Sequence, residues 1–423
     1  MTAATPPSDE PARSLPPWLR LRRLRQALFA TPADGALTVA LLALLGWLLQ
    51  LVVGWALHHA DWAVVQLNSA LLLVGRYPPE QQWRLWLLAI LLAAQAGLSW
   101  GVLRATPRPD RRGLVPLWPR SDRVAVVVLA LLALLLPRAL DQPLPVQIGW
   151  WGLTTLLILL RTGAARFCAG RPADKRRLVP ALWPLLYVVG LWLIGGGLGL
   201  APVAPSDWGG LLLTLLMASF AMALSFPLGI LLALGRRSSL PLLRWGSVAY
   251  IEFIRAAPLI TLLFVGQNIL GFVLPGGMNP DRVWRAAWVL TLFAAAYLAE
   301  AVRAGLAGVP RGQSEAARTL GLSLPQTLIH VVIPQALRIA LPALMGQLIA
   351  LLQDTTLLSL IGLLDLLGMA RSIMANPRFL GNSTEMYLTL ALLYWICCVS
   401  LGLASRALEQ RLASRPSSPA RFP

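Results

Sequence analysis

The sequence predicts an all-α polytopic membrane protein with about ten transmembrane helices. Of its 423 residues, 57% are hydrophobic and 13% are charged, whereas roughly 25% of residues are charged in ordinary soluble domains. The mean hydropathy is +0.67, and several apolar runs reach the ~20 residues that a helix needs to cross a hydrocarbon core. Because these runs are continuous rather than alternating, they exclude a transmembrane barrel.

The predicted spans lie near residues 36–57, 84–103, 124–139, 148–160, 180–200, 208–235, 248–275, 284–302, 339–362 and 386–404. The fourth is doubtful, because it is short and begins at Trp150 and Trp151, which suit an interfacial helix equally well. Treating it as a span places every strongly basic loop on one side of the membrane. We therefore keep it as a span.

The basic excess of the chain is explained by topology. The formal net charge is +18, and most Lys and Arg residues fall in segments that this topology places in the cytoplasm, as the positive-inside rule requires. This distribution argues against a nucleic-acid partner. We expect a multi-pass protein of the cell inner membrane, in contact with lipid, with cytoplasmic tails at 1–35 (mostly disordered) and 412–423.

No cofactor, metal or catalytic site is expected. Cys168 falls in a predicted loop, and Cys397 and Cys398 fall inside the last span, without a plausible disulfide or metal partner. The only lysine, Lys175, has no Gly-rich loop before it, so the chain lacks a phosphate-binding P-loop. Any ATP hydrolysis must therefore take place on another protein.

The chain divides into two blocks. Residues 36–200 form an N-terminal transmembrane region without a chemistry-bearing motif, and residues 206–411 form a second block of five spans. Within the second block, the polar segment 304–335 predicts two short helices: Gly321 ends the first, a Ser323/Gln326 capping box begins the second, and Pro334 ends it. Two spans need a far shorter connection, so the segment predicts a docking surface outside the membrane.

This hairpin resembles the EAA loop of ABC-importer permeases. Glu315, Ala316, Ala317, Gly321 and Pro334 stand at the positions of that motif. Further segments resemble the same family in the same order: 234–238, 251–260, 296–303, 334–338, 354–357 and 362–368. Together they cover about half the chain and resemble importers of polar amino acids, in the general L-amino acid or glutamate/glutamine/aspartate/asparagine subfamily. In one departure, Gln353 stands where the family commonly has Lys.

The resemblance implies a permease subunit that moves polar L-amino acids into the cytoplasm. Residues 206–411 would form the permease domain, with 304–335 as its cytoplasmic coupling hairpin. The implied partners are a cytoplasmic ABC ATPase dimer, a second permease subunit (the same or related) and a periplasmic amino-acid-binding protein. The five motif residues would couple the permease to the ATPase.

Polar residues inside spans are the candidates for the translocation pathway, because they are costly in a membrane. Asp354 is the strongest, with Thr355 and Thr356 beside it; the alternative is a structural, ion-paired carboxylate. Gln267 and Asn268 are further candidates, and the alternative for them is ordinary hydrogen bonding between helices.

Two pairs spaced i, i+3 are interpreted as structural or gating ion pairs: Glu252 with Arg255, and Glu300 with Arg303. They lie at the predicted cytoplasmic ends of spans, so a gating or structural role is favoured over substrate contact.

Two other functions stay open on sequence grounds. An ion-coupled secondary transporter of small polar solutes would need paired carboxylates or broken helices in both halves, and the first half offers no carboxylate well inside a span. A membrane scaffold or enzyme subunit whose hairpin binds an unrelated partner is the second, but no nucleophile–base set supports the enzyme version.

Overall fold

The structure is a computed structural model that describes residues 28–104, 120–168, 178–269 and 280–413. It has two compact units, one ending at Asp61 and the other beginning at Trp62. The first unit contains helix α1 (Pro32–His58), which begins where Thr31 Oγ1 accepts a hydrogen bond from Asp34 N–H at 3.1 Å. None of its residues is buried. A helix that is apolar on every side is typical of a membrane span. Most of the predicted tails, 1–27 and 414–423, lies outside the described residues.

In its described residues, the second unit begins with seven helices: α2 (Ala63–Leu67), α3 (Ser69–Val74), α4 (Gln82–Arg104), α5 (Arg120–Ala139), α6 (Leu144–Cys168), α7 (Leu178–Ala181) and α8 (Trp183–Gly195). The doubtful span at 148–160 is α6, whose 25 residues are long and apolar enough to cross a membrane. It packs along α4 so closely that a Cβ at Gly97 would lie 2.5 Å from the Leu157 carbonyl oxygen. Small residues at such contacts let transmembrane helices approach each other.

The part of the second unit described after Gly195 contains nine further α-helices: α9 (Gly210–Arg236), α10 (Pro241–Ala256), α11 (Leu259–Asn268), α12 (Arg282–Ala307), α13 (Arg311–Thr319), α14 (Leu324–Thr327), α15 (Ile333–Asp354), α16 (Leu366–Met374) and α17 (Ser383–Ala413). Helices α9 and α12 pack at the centre. A Cβ at Gly229 of α9 would lie 2.8 Å from the Leu298 Cβ of α12. A run of small buried residues on α12, Ala294 to Ala296, makes this approach possible.

The all-α membrane fold is confirmed, with fewer spans than predicted. The described residues contain seven helices that are long and apolar enough to span, or eight if a bent pair counts as one. The predicted span 124–139 lies in α5, whose 20 residues include three Arg and one Asp. The predicted span 180–200 contains α8, which has 13 residues and is followed by Gly196 with φ +77°.

The span predicted as one helix at 248–275 is broken. Helices α10 and α11 meet at an angle of 104°. Pro258 causes the break, because its ring removes an N–H and disfavours helical backbone at the preceding residue. Ala257 is accordingly extended, with φ −87° and ψ 136°. Residues 270–279, which include the end of the predicted span, lie outside the described residues.

The predicted end of the second hairpin helix at Pro334 is wrong. Helix α14 continues through a π-helical turn, Leu328–Val332, into α15. Pro334 is the second residue of α15, and the wide turn before it accommodates a residue that has no N–H to donate. Gln335 Nε2 donates to the Val331 carbonyl oxygen at 3.0 Å, which satisfies one acceptor of that turn.

Candidate functional site

The hairpin turns sharply at Gly321, as predicted. Gly321 has φ +79°, a conformation that glycine adopts without strain. Its N–H donates to the Arg318 carbonyl oxygen at 2.9 Å, and Leu322 N–H donates to that of Ala317 at 3.2 Å, as in a Schellman ending. Ser323 N–H donates to Gln326 Oε1 at 2.9 Å at the start of α14. Local hydrogen bonds thus define both sides of the turn.

The hairpin presents a mixed charged and apolar surface. Glu315 and Ala316 are exposed on α13, whereas Ala317 is buried against the rest of the hairpin. Leu320 at the tip is 81% exposed, and Leu324 is 59% exposed. The hairpin thus exposes both a carboxylate and apolar side chains to a partner. Gln335 Nε2 donates to Gln313 Oε1 at 3.2 Å, which ties α13 to the start of α15.

An ion network joins three core helices at their hairpin end. Arg236 Nη1, at the end of α9, lies 2.9 Å from Glu252 Oε1 of α10 and 2.7 Å from Glu300 Oε1 of α12. Arg303 Nε lies 2.9 Å from Glu300 Oε2, so this predicted pair forms. Arg255 Nη1 lies 3.9 Å from the same oxygen and does not pair with Glu252 as expected. Glu300, with 18% of its side chain exposed, is the centre of the network.

The expected pairing of Glu252 with Arg255 is therefore corrected, and Arg236 is the residue that sequence reasoning missed. Glu252 instead meets Arg236, because α9 and α10 pack side by side at this end. The adjacent Arg236 and Arg237 look alike in the sequence, and only the packing of α9 decides that Arg236 faces the carboxylates. Arg255 turns towards α12, where its guanidinium lies 5.6 Å from the centre of the Tyr297 ring.

Asp354 lies in a recess between α12 and α15. Phe293, Tyr297, Gln347 and Leu351 are among the residues that line it with Asp354. The Asp354 side chain is half-buried. The Phe293 and Tyr297 rings are 4.8 Å apart, and Tyr297 also contacts Arg255 of the ion network. The recess and the network thus share one aromatic side chain.

The other predicted pathway residues do not line this recess. Thr355 is buried, and its hydroxyl donates to the Leu352 carbonyl oxygen at 2.6 Å. The Thr356 hydroxyl donates to the Gln353 carbonyl oxygen at 2.8 Å. Both hydroxyl groups satisfy their own helix, as is common for threonine.

Gln267 and Asn268 lie at the end of α11, apart from Asp354. Gln267 Nε2 donates to the Arg282 carbonyl oxygen at 2.7 Å, and Arg285 Nη1 donates to the Gln267 carbonyl oxygen at 2.7 Å. Asn268 Nδ2 donates to the Phe264 carbonyl oxygen at 3.0 Å. The two bonds of Gln267 join α11 to the start of α12, whereas the Asn268 bond lies within α11. A role of Gln267 or Asn268 in transport stays a prediction.

A buried carboxylate lies between the last two spans. Asp365 is fully buried and caps α16, where it accepts hydrogen bonds from Leu367 N–H at 3.2 Å and Gly368 N–H at 3.1 Å. Burial raises the pKa of Asp365 to about 7, although these N–H groups and Arg371 lower it. The raising effect dominates because a charged carboxylate loses its hydration when buried.

This raised pKa predicts a pH-dependent stability that Asp365→Asn removes. The ordinary pKa of Asp is 3.8, so between about pH 4 and 7 the folded state binds a proton that the unfolded state has lost. The free energy of unfolding therefore falls as the pH rises through this window and levels off above it. Between pH 5 and 8, we expect the free energy of unfolding of the wild type to fall by on the order of 2 kcal/mol relative to that of Asp365→Asn. Thermal unfolding in detergent measures this difference.

Asp281→Asn is the matched control, since Asp281 also caps a helix but is exposed. It should show the wild-type pH dependence. If the free energies of unfolding of Asp365→Asn and the wild type change in parallel with pH, Asp365 does not titrate in this range.

Comparison with known proteins identifies relatives of the chain. The family of binding-protein-dependent transport system inner membrane components matches residues 225–414. The inner membrane amino-acid ABC transporter permease YhdY of Escherichia coli is 44% identical over 233 residues, which are 55% of this chain and 64% of that protein. The glutamate/glutamine/aspartate/asparagine transport permease BztC of Rhodobacter capsulatus is 34% identical over 432 residues, and the alignment covers 93% of both chains.

Among solved structures, a crystal structure of an amino acid ABC transporter with histidines is 32% identical to this chain. The match covers 48% of this chain and 92% of that one, with a TM-score of 0.43.

Proposed function

This chain belongs to the permease family of amino-acid ABC transporters, and we propose that it moves polar L-amino acids into the cytoplasm, driven by a separate ATPase that docks on its hairpin. It is a multi-pass inner-membrane transport subunit, and the family implies an ATPase and a substrate-binding protein as partners. An amino acid substrate is supported by the names of both relatives, and a polar one by that of BztC, which aligns along almost the whole chain.

The observation that carries the coupling mechanism is the exposed hairpin between α12 and α15. Glu315 offers a carboxylate for a charge-assisted hydrogen bond, and exposed Leu320 and Leu324 offer apolar area. Ala316 is small enough to allow close approach of an ATPase groove, and Gly321 sets the angle of the turn. The hairpin is covalently continuous with both core helices, so a force on it reaches α12 and α15 directly.

In this mechanism the ion network transmits motion of α12 to α9 and α10. Glu300 lies two turns before the end of α12, close to the hairpin, and Arg236 joins it to the other two helices. Arg255 and Tyr297 continue the contact towards the recess. Asp354 lines the amino-acid pathway there, where its carboxylate attracts the ammonium group that every amino acid carries.

The partners proposed for the chain are a cytoplasmic ATPase dimer, a second permease subunit of the same or a related kind, and a periplasmic amino-acid-binding protein. Both termini are proposed to be cytoplasmic, because this arrangement follows the positive-inside rule and places the hairpin where the ATPase is. An ion-coupled secondary transporter is not favoured, because the relatives are ABC permeases.

Uptake into vesicles tests the energy source. The chain is co-expressed with its ATPase, second permease and binding-protein genes, and uptake of labelled glutamate, glutamine, aspartate and asparagine is measured with and without internal ATP. We expect uptake that requires ATP and persists when ionophores collapse the proton and sodium gradients. Uptake that follows an ion gradient without ATP would overturn the proposal.

A further inference from the structure

The N-terminal transmembrane region inserts a short segment, Trp62–Tyr77, into the second block of the chain. Its helices α2 and α3 bury Val64, Val65 and Leu72 almost completely. These side chains share one apolar cluster with α16 and α17, whose members include Leu366, Met369, Ala370, Ile373, Met386 and Leu390. The segment therefore covers α16, the short helix that Asp365 caps.

Three glycines bring the main chains of this segment and α9 into direct contact. Gly75 has φ +67°, and a Cβ there would lie 2.3 Å from the Gly209 Cα. A Cβ at Gly210 would lie 2.3 Å from the Leu72 carbonyl oxygen. Gly75 also forms an antiparallel bridge with Trp208. Since real Cβ atoms do not approach backbone so closely, this contact requires glycine at Gly75 and Gly210.

The same end of α9 holds α16. Gly210 N–H donates to the Leu364 carbonyl oxygen at 2.8 Å, and Leu366 N–H donates to Thr214 Oγ1 at 2.9 Å. A Cβ at Gly209 would lie 2.8 Å from Met369 Cε. The Trp62–Tyr77 segment, the start of α9 and α16 thus meet at one place.

Two buried polar side chains fasten the connection between α8 and α9. The Tyr77 hydroxyl donates to the Ile194 carbonyl oxygen at 3.0 Å, and Arg84 Nη1 donates to the Ala201 carbonyl oxygen at 2.8 Å. Tyr77 and Trp208 are both buried in the same apolar cluster as core residues of α9 and α12. The connection itself makes a tight turn at Gly197–Leu200, where Leu198 is 95% exposed.

We infer that the Trp62–Tyr77 segment is a constituent of the permease core that positions α16 and the start of α9, so that contacts hold the N-terminal part of the second unit in place without the covalent connection. The transport core of this chain therefore begins at Trp62, before the second block. The inference concerns assembly, and it stands independently of the substrate and of the energy source.

Cleavage of the assembled protein tests this inference. A protease recognition sequence is inserted between Leu198 and Gly199, at the exposed turn, and the full-length protein is cleaved after purification in mild detergent. We expect the two fragments to co-elute in size-exclusion chromatography and to co-purify on a tag at either end. Separation of the fragments in the otherwise unaltered chain would overturn the inference.

Glycine variants of the cleavable chain locate the contact. Gly75→Ala should reduce the N-terminal fragment retained after cleavage by about tenfold. Gly381→Ala is the matched control, because Gly381 also has positive φ (+100°) but open space around it, and it should retain the fragment. Retention by Gly75→Ala at the control level would overturn the role of the glycine contact.

Gly209→Ala is the alternative variant if the Gly75→Ala protein does not insert into the membrane. Gly209 has extended backbone, with φ −162°, so alanine causes no backbone strain there. The new Cβ meets Met369 Cε and the Gly75 Cα at 2.8 and 3.0 Å. We expect partial loss of the N-terminal fragment, because the Gly75 main chain must shift, whereas the flexible end of Met369 can move aside. Full retention by Gly209→Ala would contradict a tight main-chain contact between Gly209 and Gly75.

Discussion

Glu315→Ala is expected to lower ATP-driven amino acid uptake at least about fivefold while the protein still inserts and assembles. Glu315 is exposed and makes no contribution to a buried core, so its loss should not unfold the chain. A charge-assisted hydrogen bond to a partner contributes about 1–3 kcal/mol, which corresponds to roughly 5- to 150-fold. The measurement is initial uptake rate in vesicles together with ATP hydrolysis by the reconstituted complex.

Thr319→Ala is the matched control for this prediction. Thr319 is exposed on the same helix one turn further on, and its hydroxyl donates only within the helix, to the Ala316 carbonyl oxygen at 2.8 Å. It should change uptake less than about twofold. Equal uptake by Glu315→Ala and the wild type would remove Glu315 from the coupling mechanism.

Arg236→Gln is expected to have the second large effect. It leaves Glu252 and Glu300 without the guanidinium nitrogen that both carboxylates share, and Glu300 is largely buried. An under-paired, largely buried carboxylate repels its neighbour and loosens the ends of α9, α10 and α12. We expect uptake to fall about tenfold or more, with ATP hydrolysis reduced much less, because the three helices no longer move together.

Two variants separate this effect from a general loss of charge. Arg237→Gln removes the adjacent, exposed arginine and should leave uptake near the wild-type level. Arg236→Lys keeps a cation that can meet both carboxylates through a single nitrogen, so it should restore most of the uptake that Arg236→Gln loses. Loss of uptake and ATP hydrolysis in equal proportion would indicate a purely structural arginine.

Sequence reasoning was most successful where the signal is local. The turn at Gly321 and the hydrogen bond between Ser323 and Gln326 depend on residues three or four apart, and both form as predicted. The pairing of Glu300 with Arg303 is local in the same sense. The extent of α14 was wrong, because the π-helical turn before Pro334 depends on how the long helix continues into the core.

The ion network was not predicted from the sequence, because its contacts are not local. Arg236 and Glu300 are 64 residues apart along the chain, and their contact at 2.7 Å follows from the packing of α9 against α12. Likewise, the distribution of Thr355, Thr356 and Asp354 around the recess depends on the rotation of one helix. No hydropathy pattern reports that rotation, because side chains facing lipid are as apolar as side chains facing another helix.

Hydropathy, charge distribution and the hairpin motif therefore identify a helical membrane permease from the chain alone, since membrane insertion and helix termination depend on residues close together in sequence. The shared role of Arg236 and the entry of Trp62–Tyr77 into the permease core depend on helices that meet across long stretches of chain. Such contacts are selected by close packing of small residues such as Gly75 and Gly209. Their partners become visible only when the helices are assembled.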